Sequence, residues 1–204
     1  MCGVFGYIGY RKNASKIVFE GIKALEYRGY DSWGEAIIDQ NNKLHLIKNV
    51  GKISGEAPKI ESTLALGHTR WATHGGVTVA NSHPQTDCKK RFALVHNGII
   101  ENFDELKKKL LKNHHFISQT DTEVAAHLLE EYLKKEDNFW QALIKTYLKL
   151  KGLNALVLVD KNTQKIYAVK NGSPLVVGFG KKEKQFDLDS KSAFRSSSNR
   201  EEDP

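Results

Sequence analysis

The chain opens with MCGVFGYIGY, residues 1–10, and the cysteine near its start guides the interpretation of the rest. Residues 2–8 form a short apolar run, so we predict a strand that begins at Cys2. Cysteine is small, and a methionine before it is readily removed by enzymes. Cys2 would then carry both a thiol and a free α-amine, whose pKa of roughly 7.7 to 8.0 suits a general base. Position alone leaves open a cysteine that is merely buried.

Beyond this strand, the sequence alternates between helical and strand-like patterns. Apolar residues at spacings of three and four, from Ile17 to Leu25, predict a first helix that stops at Arg28-Gly29. Three more helices are expected to begin near Asn102, Thr120 and Asn138, the first two with side-chain caps. Strands are predicted at residues 36–38, 44–47, 64–68, 92–96, 155–159, 166–169 and 175–179. Strands, helices and strands again indicate an α+β fold in which helices cover sheets.

The composition is that of a globular chain and excludes several classes of protein. Of 204 residues, 40% are hydrophobic and 27% charged, and two cysteines cannot build a disulfide framework. The opening lacks the basic segment of a signal peptide, and no run approaches the ~18 apolar residues of a membrane span. We therefore expect a cytoplasmic protein without a membrane partner. The net charge of +7 comes mainly from lysines on helix faces, which favours a solvated surface over nucleic-acid binding.

A long segment without periodicity, residues 69–90, carries groups that suit a small polar ligand. Loops of this length in compact domains are usually functional or disordered. Arg70 is the type of side chain that holds a carboxylate with two hydrogen bonds. Trp71 could cover a bound molecule, and the glycine pair at 75–76 could serve as a hinge.

The segment HNGIIEN, residues 96–102, begins where a predicted strand ends. Asn97 offers a side-chain amide and Gly98 an unobstructed backbone N–H, the two donors that an oxyanion hole requires. A tight turn is the commoner role of an Asn-Gly pair. Asp121 could stabilise the start of a helix or receive a substrate ammonium group. No metal is expected from Cys2 and histidines 68, 74, 83 and 96, because they lack zinc-motif spacing.

Taken together, these segments resemble the class II glutamine amidotransferases, whose glutaminase domain belongs to the N-terminal nucleophile hydrolases. The matching segments are MCGV (1–4), LEYRGYDS (25–32), GHTRWATHGG (67–76), NSHP (81–84), HNGIIEN (96–102), TDTE (120–123) and NGSPLVVG (171–178). They cover most of residues 2–180. Three of these segments also indicate a branch of the family. RGYDS, RWATHG and NGIIEN resemble the corresponding segments of the branch that makes amino sugar phosphates more than those of phosphoribosylpyrophosphate amidotransferases or asparagine synthetases.

The resemblance implies a four-layer αββα sandwich and a role for each candidate residue. Cys2 would be the nucleophile, Asn97 and Gly98 the oxyanion hole, Arg70 the partner of the glutamine α-carboxylate and Asp121 that of the α-amino group. Thr73 and His74 would line the glutamine site, Trp71 would lie on a loop that closes over it, and Arg28 would orient the Cys2 end. No cofactor is implied, and L-glutamine is the expected partner. The resemblance also leaves room for a separate synthase and isomerase subunit.

Departures from the family pattern define the remaining expectations. Trp33 and Glu35 stand where small and apolar residues are usual, and a tryptophan there must find room. The pattern fades after about residue 180. We therefore expect a glutaminase domain over residues 2–180, truncated at its C-terminal end, and a divergent, poorly ordered polar tail over residues 181–204. The alternatives are an inactive remnant, a glutamine-binding module without turnover, or the glutaminase half of another class II amidotransferase.

Overall fold

A computed structural model describes residues 2–180 and, as backbone, the strand at residues 184–187. Its elements in chain order are β1 Gly3–Ile8, α1 Ala14–Ala24, β2 Ser32–Asp39, β3 Leu44–Val50, β4 Ser62–Arg70, β5 Gln85–Thr86, β6 Phe92–Gly98, α2 Phe103–Leu110, α3 Asp121–Leu133, α4 Phe139–Tyr147, β7 Asn154–Asp160, β8 Lys165–Asn171, β9 Val176–Phe179 and β10 Lys184–Asp187. A short 3-10 turn, Glu26–Arg28, follows α1. Among these described residues, none of the helices combines the length and apolar composition that crossing a membrane requires.

The strands form two antiparallel sheets. The first has six strands in the order β3-β2-β4-β1-β10-β9, and the second has four in the order β5-β6-β7-β8. In the first sheet, β1 lies at the centre and pairs with β4 on one side and β10 on the other. Cys2, the residue just before β1, is therefore held next to a strand in the middle of the sheet.

Three buried clusters show how the sheets and helices are layered. The first lies between α1 and the six-stranded sheet and includes Phe5, Tyr7, Val18, Phe19, Ile22 and Ile37. The second lies between the two sheets and includes Val4, Ile38, Leu64, Leu66, Val95 and Val157. The third lies between the four-stranded sheet and α2, α3 and α4, and includes Phe92, Leu94, Val124, Leu129, Leu143 and Leu158. The order of layers is helix, sheet, sheet, helices, which confirms the predicted αββα sandwich.

Alternation along each strand decides which layer a side chain enters. In β4, Leu64 and Leu66 face the second sheet, whereas Ala65 faces α1. Gly67 continues the α1 side, where an added Cβ would lie 2.7 Å from side chains of Val18 and Ile22. A small residue is therefore required for α1 to pack closely on the sheet. Each large apolar side chain buried in these layers contributes about 1.5–3 kcal/mol.

The predicted elements are confirmed, but the predicted caps of two helices are wrong. The side chain of Asn102 makes no cap bond with α2; it joins the carbonyl of Lys149 and the N–H of Lys151, each at 2.9 Å. Glu123 does not reach back to Thr120 but accepts hydrogen bonds from the N–H groups of Ile117 and Ser118. In both cases the side chain connects its helix to a neighbouring loop, a partner that local sequence does not reveal.

The predicted polar tail is corrected at residues 184–187. These residues form β10, whose antiparallel register with β1 pairs Phe5 with Asp187 and Ile8 with Lys184. Strand β1, at the centre of the six-stranded sheet, is therefore paired on both sides. The rest of that prediction, residues 181–183 and 188–204, lies outside the described residues.

The two departures Trp33 and Glu35 both lie on the α1 face of β2. Trp33 is accommodated, since it is 6% exposed and packs edge-on against Phe19 with ring centroids 5.6 Å apart. Glu35 is fully buried, and neither of its carboxyl oxygens has a hydrogen-bond partner among the described residues. Burial raises the pKa of Glu35 to about 9, although the nearby Ser15 hydroxyl lowers it slightly.

Candidate active site

A cavity of about 310 Å³ lies where β1, β4, β6 and the start of α3 meet. All nine residues singled out from the sequence line this cavity: Cys2, Arg28, Arg70, Trp71, Thr73, His74, Asn97, Gly98 and Asp121. The wall also includes His83, His96, Ile99, Thr120, Thr122, Ser173 and Pro174. The cavity thus joins residues from seven separate segments of the chain.

Cys2 lies just before β1, with its thiol in the cavity beside the first residue after β4. The N–H of Trp71 donates to the Sγ atom of Cys2 at 3.3 Å, and Sγ lies 3.7 Å from the carbonyl oxygen of Trp71. Burial raises the pKa of the Cys2 thiol, whereas the Trp71 N–H and the positive charge of Arg70 lower it. Burial is the largest of these effects, so the thiol holds its proton at neutral pH and needs a base to react.

The amide of Asn97 is directed at Cys2 by a buried histidine. The Nδ2 atom of Asn97 donates to the carbonyl of Cys2 at 2.9 Å, and Oδ1 lies 3.1 Å from Nε2 of His68. Burial lowers the pKa of His68 to about 3, so the ring is neutral. Its Nε2 also lies 3.2 Å from the carbonyl of His96 and must therefore carry the proton. This N–H fixes the carbonyl end of Asn97 and turns the amide nitrogen toward Cys2.

Gly98 ends β6 in a backbone conformation that excludes a side chain. Its φ is +129°, and an added Cβ would lie 2.2 Å from the carbonyl oxygen of Leu153.

Arg28, at the end of the short turn after α1, donates from Nε to the carbonyl of Cys2 at 3.5 Å. Two chain segments therefore hold the Cys2 peptide group, one through Arg28 and one through Asn97.

Arg70 ends β4 and organises the loop that follows. Its guanidinium is almost fully buried and donates to the carbonyls of Gly75 and Gly76, each at 3.3 Å, and to that of His74. Asn81 donates to the same Gly76 carbonyl at 2.9 Å. Burial lowers the pKa of Arg70, whereas nearby acidic groups raise it. The guanidinium stays charged and faces the cavity, where it can attract a carboxylate.

The loop after Arg70 forms the outer wall of the cavity. Trp71 is 45% exposed, and its ring packs edge-on against Tyr30 with centroids 5.4 Å apart. The ring of His74 packs in the same way against Phe103, at 5.1 Å. Thr73 lies between them at the surface. This wall consists of aromatic edges and a hydroxyl, and it lies over the thiol.

Asp121 is the first residue of α3 and is almost fully buried. Its Oδ2 accepts a hydrogen bond from the N–H of Ile100 at 2.9 Å and lies 3.8 Å from Nδ1 of His96. The carboxylate is thus fixed in the wall of the cavity. A negative group in this position can receive an ammonium group.

Sequence reasoning missed a row of polar residues behind the cavity. Thr122 Oγ1 lies 2.7 Å from Nε2 of His83 and 3.1 Å from Nδ1 of His96, and Nε2 of His96 lies 2.8 Å from Oδ1 of Asn154. Burial lowers the pKa of both His83 and His96. The row is therefore neutral and rigid rather than titrating. The sequence did contain one signal for these buried histidines. Side chains alternate between the two faces of a strand, and this alternation in β4 and β6 places His68 and His96 on the faces that lie between the two sheets or behind the cavity.

A cysteine just before a central strand, two facing antiparallel sheets and covering helices together indicate a class II glutamine amidotransferase with the fold of the N-terminal nucleophile hydrolases. The comparison with known families agrees. The chain belongs to the family described as "Glutamine amidotransferase domain", which it matches over residues 68–192.

Curated relatives share this region at high identity. The chain is 50% identical over 190 residues to a glutamine–fructose-6-phosphate aminotransferase (isomerizing) from Thermococcus kodakarensis, covering 90% of this chain and 31% of the relative. It is 44% identical to the protein of the same name from Streptococcus pneumoniae, covering 88% of this chain and 30% of the relative. The chain thus spans about a third of the length of these relatives.

Solved structures confirm the fold. The glutamine phosphoribosylpyrophosphate amidotransferase of B. subtilis superimposes with a TM-score of 0.78 at 26% identity, covering 91% of this chain and 41% of that one. An allosteric regulatory enzyme of purine biosynthesis superimposes with a TM-score of 0.80 at 28% identity and the same coverage.

Proposed function

We propose that this chain hydrolyses L-glutamine to glutamate and ammonia, with Cys2 as the nucleophile once Met1 is removed. The observation that carries the proposal is the convergence of a thiol, a buried guanidinium, a carboxylate and an oriented amide on the same 310 Å³ cavity. These groups belong to Cys2, Arg70, Asp121 and Asn97. Each complements one part of a glutamine molecule, and we assign them on that basis.

Arg70 and Asp121 are proposed to bind the amino-acid end of glutamine. The charged guanidinium would receive the α-carboxylate, and the fixed Asp121 carboxylate would receive the α-ammonium group. This arrangement points the side-chain amide of glutamine toward the thiol. Thr73 and His74 would line the site, and Trp71 would cover it from the solvent side.

The reaction begins with transfer of the thiol proton to the α-amine of Cys2, the base that Met1 removal would expose. Because burial raises the pKa of the thiol, this base is needed near neutral pH. The thiolate attacks the amide carbon of glutamine and forms a tetrahedral oxyanion. Nδ2 of Asn97 has a second N–H besides the one that holds the Cys2 carbonyl, and with the N–H of Gly98 it would stabilise this oxyanion.

Collapse of the intermediate breaks the carbon–nitrogen bond. The ammonium form of the α-amine returns its proton to the leaving nitrogen, so that ammonia departs and a glutamyl thioester remains. Water, deprotonated by the same amine, then attacks the thioester and releases glutamate with restoration of the thiol. Arg28 would hold the Cys2 peptide group in place through both steps.

We propose that the ammonia serves the synthesis of glucosamine 6-phosphate from fructose 6-phosphate, as the names of the relatives suggest. The chain covers about a third of those relatives, so a synthase and isomerase part would be needed to accept the ammonia. We place the glutaminase domain at residues 2–180 together with β10. Both cysteines are free, which supports the reducing cytoplasm as its compartment.

The assignment of Asp121 is tested with L-glutamine and with its analogue that lacks the α-amino group. Substituting Asp121→Asn is expected to lower kcat/KM for L-glutamine roughly 10- to 100-fold, the value of one charge-assisted hydrogen bond. The same substitution should change turnover of the analogue little, because that molecule has no ammonium group to lose. Glutamate or the corresponding diacid would be quantified by mass spectrometry.

Asp104→Asn is a matched control, since Asp104 also lies in the first turn of a helix but is exposed on α2. We expect this variant to retain full activity on L-glutamine. Equal losses on both substrates in Asp121→Asn would show that Asp121 does not bind the amino group. No glutamate from the folded parent chain would instead contradict the hydrolysis itself.

A further inference from the structure

Four donor side chains converge at a second place, away from the cavity described above. They are Cys88, His114, His127 and Glu130, and their donor atoms all lie within 4.8 Å of one another. His114, His127 and Glu130 are buried, while Cys88 is exposed. Three chain segments contribute: the turn after β5, the connection between α2 and α3, and two positions one turn apart on α3. None of these residues belongs to the set for which the sequence analysis excluded a metal.

Four of the six distances among the donor atoms are close to those around a tetrahedral zinc ion. Sγ of Cys88 lies 3.4 Å from Nδ1 of His114 and 3.6 Å from Nδ1 of His127. Oε2 of Glu130 lies 3.1 Å from Nδ1 of His114 and 3.4 Å from Nδ1 of His127. Tetrahedral zinc with ordinary bond lengths places sulfur and nitrogen about 3.6 Å apart, and nitrogen and oxygen about 3.3 Å apart.

The outer nitrogen of His114 is hydrogen-bonded to a carboxylate, which leaves its inner nitrogen available as a metal ligand. Nε2 of His114 lies 2.7 Å from Oε1 of Glu131, and a carboxylate there requires the proton to be on Nε2. Nε2 of His127 lies 3.6 Å from Oε1 of Glu123. Nδ1 of His114 is then left with a lone pair that can bind a metal ion. Nε2 of His127 has no hydrogen-bond partner among the described residues, so this ring is free to carry its proton on Nε2 and its lone pair on Nδ1. A carboxylate behind the histidine is the usual support for a metal-bound imidazole.

We propose that Cys88 Sγ, His114 Nδ1, His127 Nδ1 and Glu130 Oε2 form a tetrahedral Zn²⁺ site. The Oε2 atom of Glu130 also accepts a hydrogen bond from the N–H of Cys88 at 3.1 Å, which holds the carboxylate beside the thiol. Thiolate and imidazole together select zinc among the common divalent ions. Exposed Cys88 provides the route of entry. The ion would join the turn after β5 to α3, the helix whose first residue is Asp121.

Binding is tested with Co²⁺ and Zn²⁺ added to the purified, metal-stripped chain. Co²⁺ reports thiolate coordination through a sulfur-to-metal charge-transfer band and tetrahedral geometry through intense visible bands. The chain has two cysteines, so Cys88→Ser and Cys2→Ser form a matched pair. We expect the charge-transfer band in the parent and in Cys2→Ser, and its loss in Cys88→Ser. Added Zn²⁺ should displace Co²⁺ with one equivalent.

A supporting-residue variant distinguishes this site from adventitious binding by surface groups. Glu131→Ala leaves all four ligands in place but removes the carboxylate behind His114, so Zn²⁺ affinity should fall about 10- to 100-fold. Circular dichroism would establish that each variant is folded. The proposal is overturned if Co²⁺ gives no charge-transfer band with the parent, or if the band follows Cys2. Equal Zn²⁺ affinity in parent, Cys88→Ser and Glu131→Ala would overturn it as well.

Discussion

Replacing Glu35 with glutamine should change how the stability of this protein depends on pH. Glu35 is fully buried between β2 and α1, among the apolar residues of the first cluster, and neither carboxyl oxygen has a hydrogen-bond partner among the described residues. Its pKa is raised from the ordinary 4.5 to about 9 because burial penalises the charged form. The folded protein therefore keeps a proton on this group that the unfolded chain releases.

The sign and size of the effect follow from proton linkage. Between pH 4.5 and about 9 the folded state binds one proton more than the unfolded state, so rising pH favours unfolding. The free energy of unfolding should fall by about 1.4 kcal/mol for each pH unit, or about 3 kcal/mol between about pH 5.5 and about pH 8. Glutamine cannot ionise, so Glu35→Gln removes this slope.

The assay is urea unfolding, followed by circular dichroism, of the parent and the Glu35→Gln variant at several pH values. The difference between the two free energies of unfolding cancels the contributions of all other titrating groups. Glu20→Gln, on the exposed face of α1, is the control and should give a profile parallel to the parent. Parallel profiles for the parent and Glu35→Gln would refute the reasoning, since Glu35 would then ionise equally in both states.

Two further substitutions test the catalytic geometry. Gly98→Ala should lower kcat about 100-fold and also lower Tm. The new Cβ would lie 2.2 Å from the Leu153 carbonyl, so the backbone would have to shift and would displace an oxyanion donor. Steady-state kinetics measure the first effect and thermal melts the second. Unchanged kcat would contradict the role given to Gly98. His68→Leu should lower kcat about tenfold or more while leaving KM near its parent value, because Asn97 loses the N–H that orients its amide. A change confined to KM would show that His68 acts on glutamine binding instead.

The layered fold was predictable because its signals are local. The apolar run of β1, the spacing of Val18 and Ile22 in α1, and the strand-length run of β6 each depend on neighbouring residues. Strand β10 was not predictable in this way. Its sequence, KQFD, is mostly polar, and its place depends on pairing with β1 and β9 rather than on its own pattern.

The candidate site was predictable to the extent that its residues occur in recognisable segments. Asn97 and Gly98 are adjacent, and the strand before them indicated where their donors would lie. The residues that hold these groups in place could not be predicted from the sequence, because they are far apart along the chain. His68 lies 29 residues from Asn97 along the chain, and the row through Thr122 joins β6 to α3. The Cys88 cluster also draws its members from three segments, none of which shows a metal motif alone.

The most direct test of the account is glutamate release from L-glutamine by the purified chain, with its intact mass measured in parallel. We predict turnover by a chain that lacks Met1, and no turnover by the Cys2→Ala variant in the same folded state. The thiol, its own α-amine and the Asn97 amide would then form a working site. A folded, Met1-free chain that releases no glutamate, or a Cys2→Ala variant that still does, would contradict the central claim.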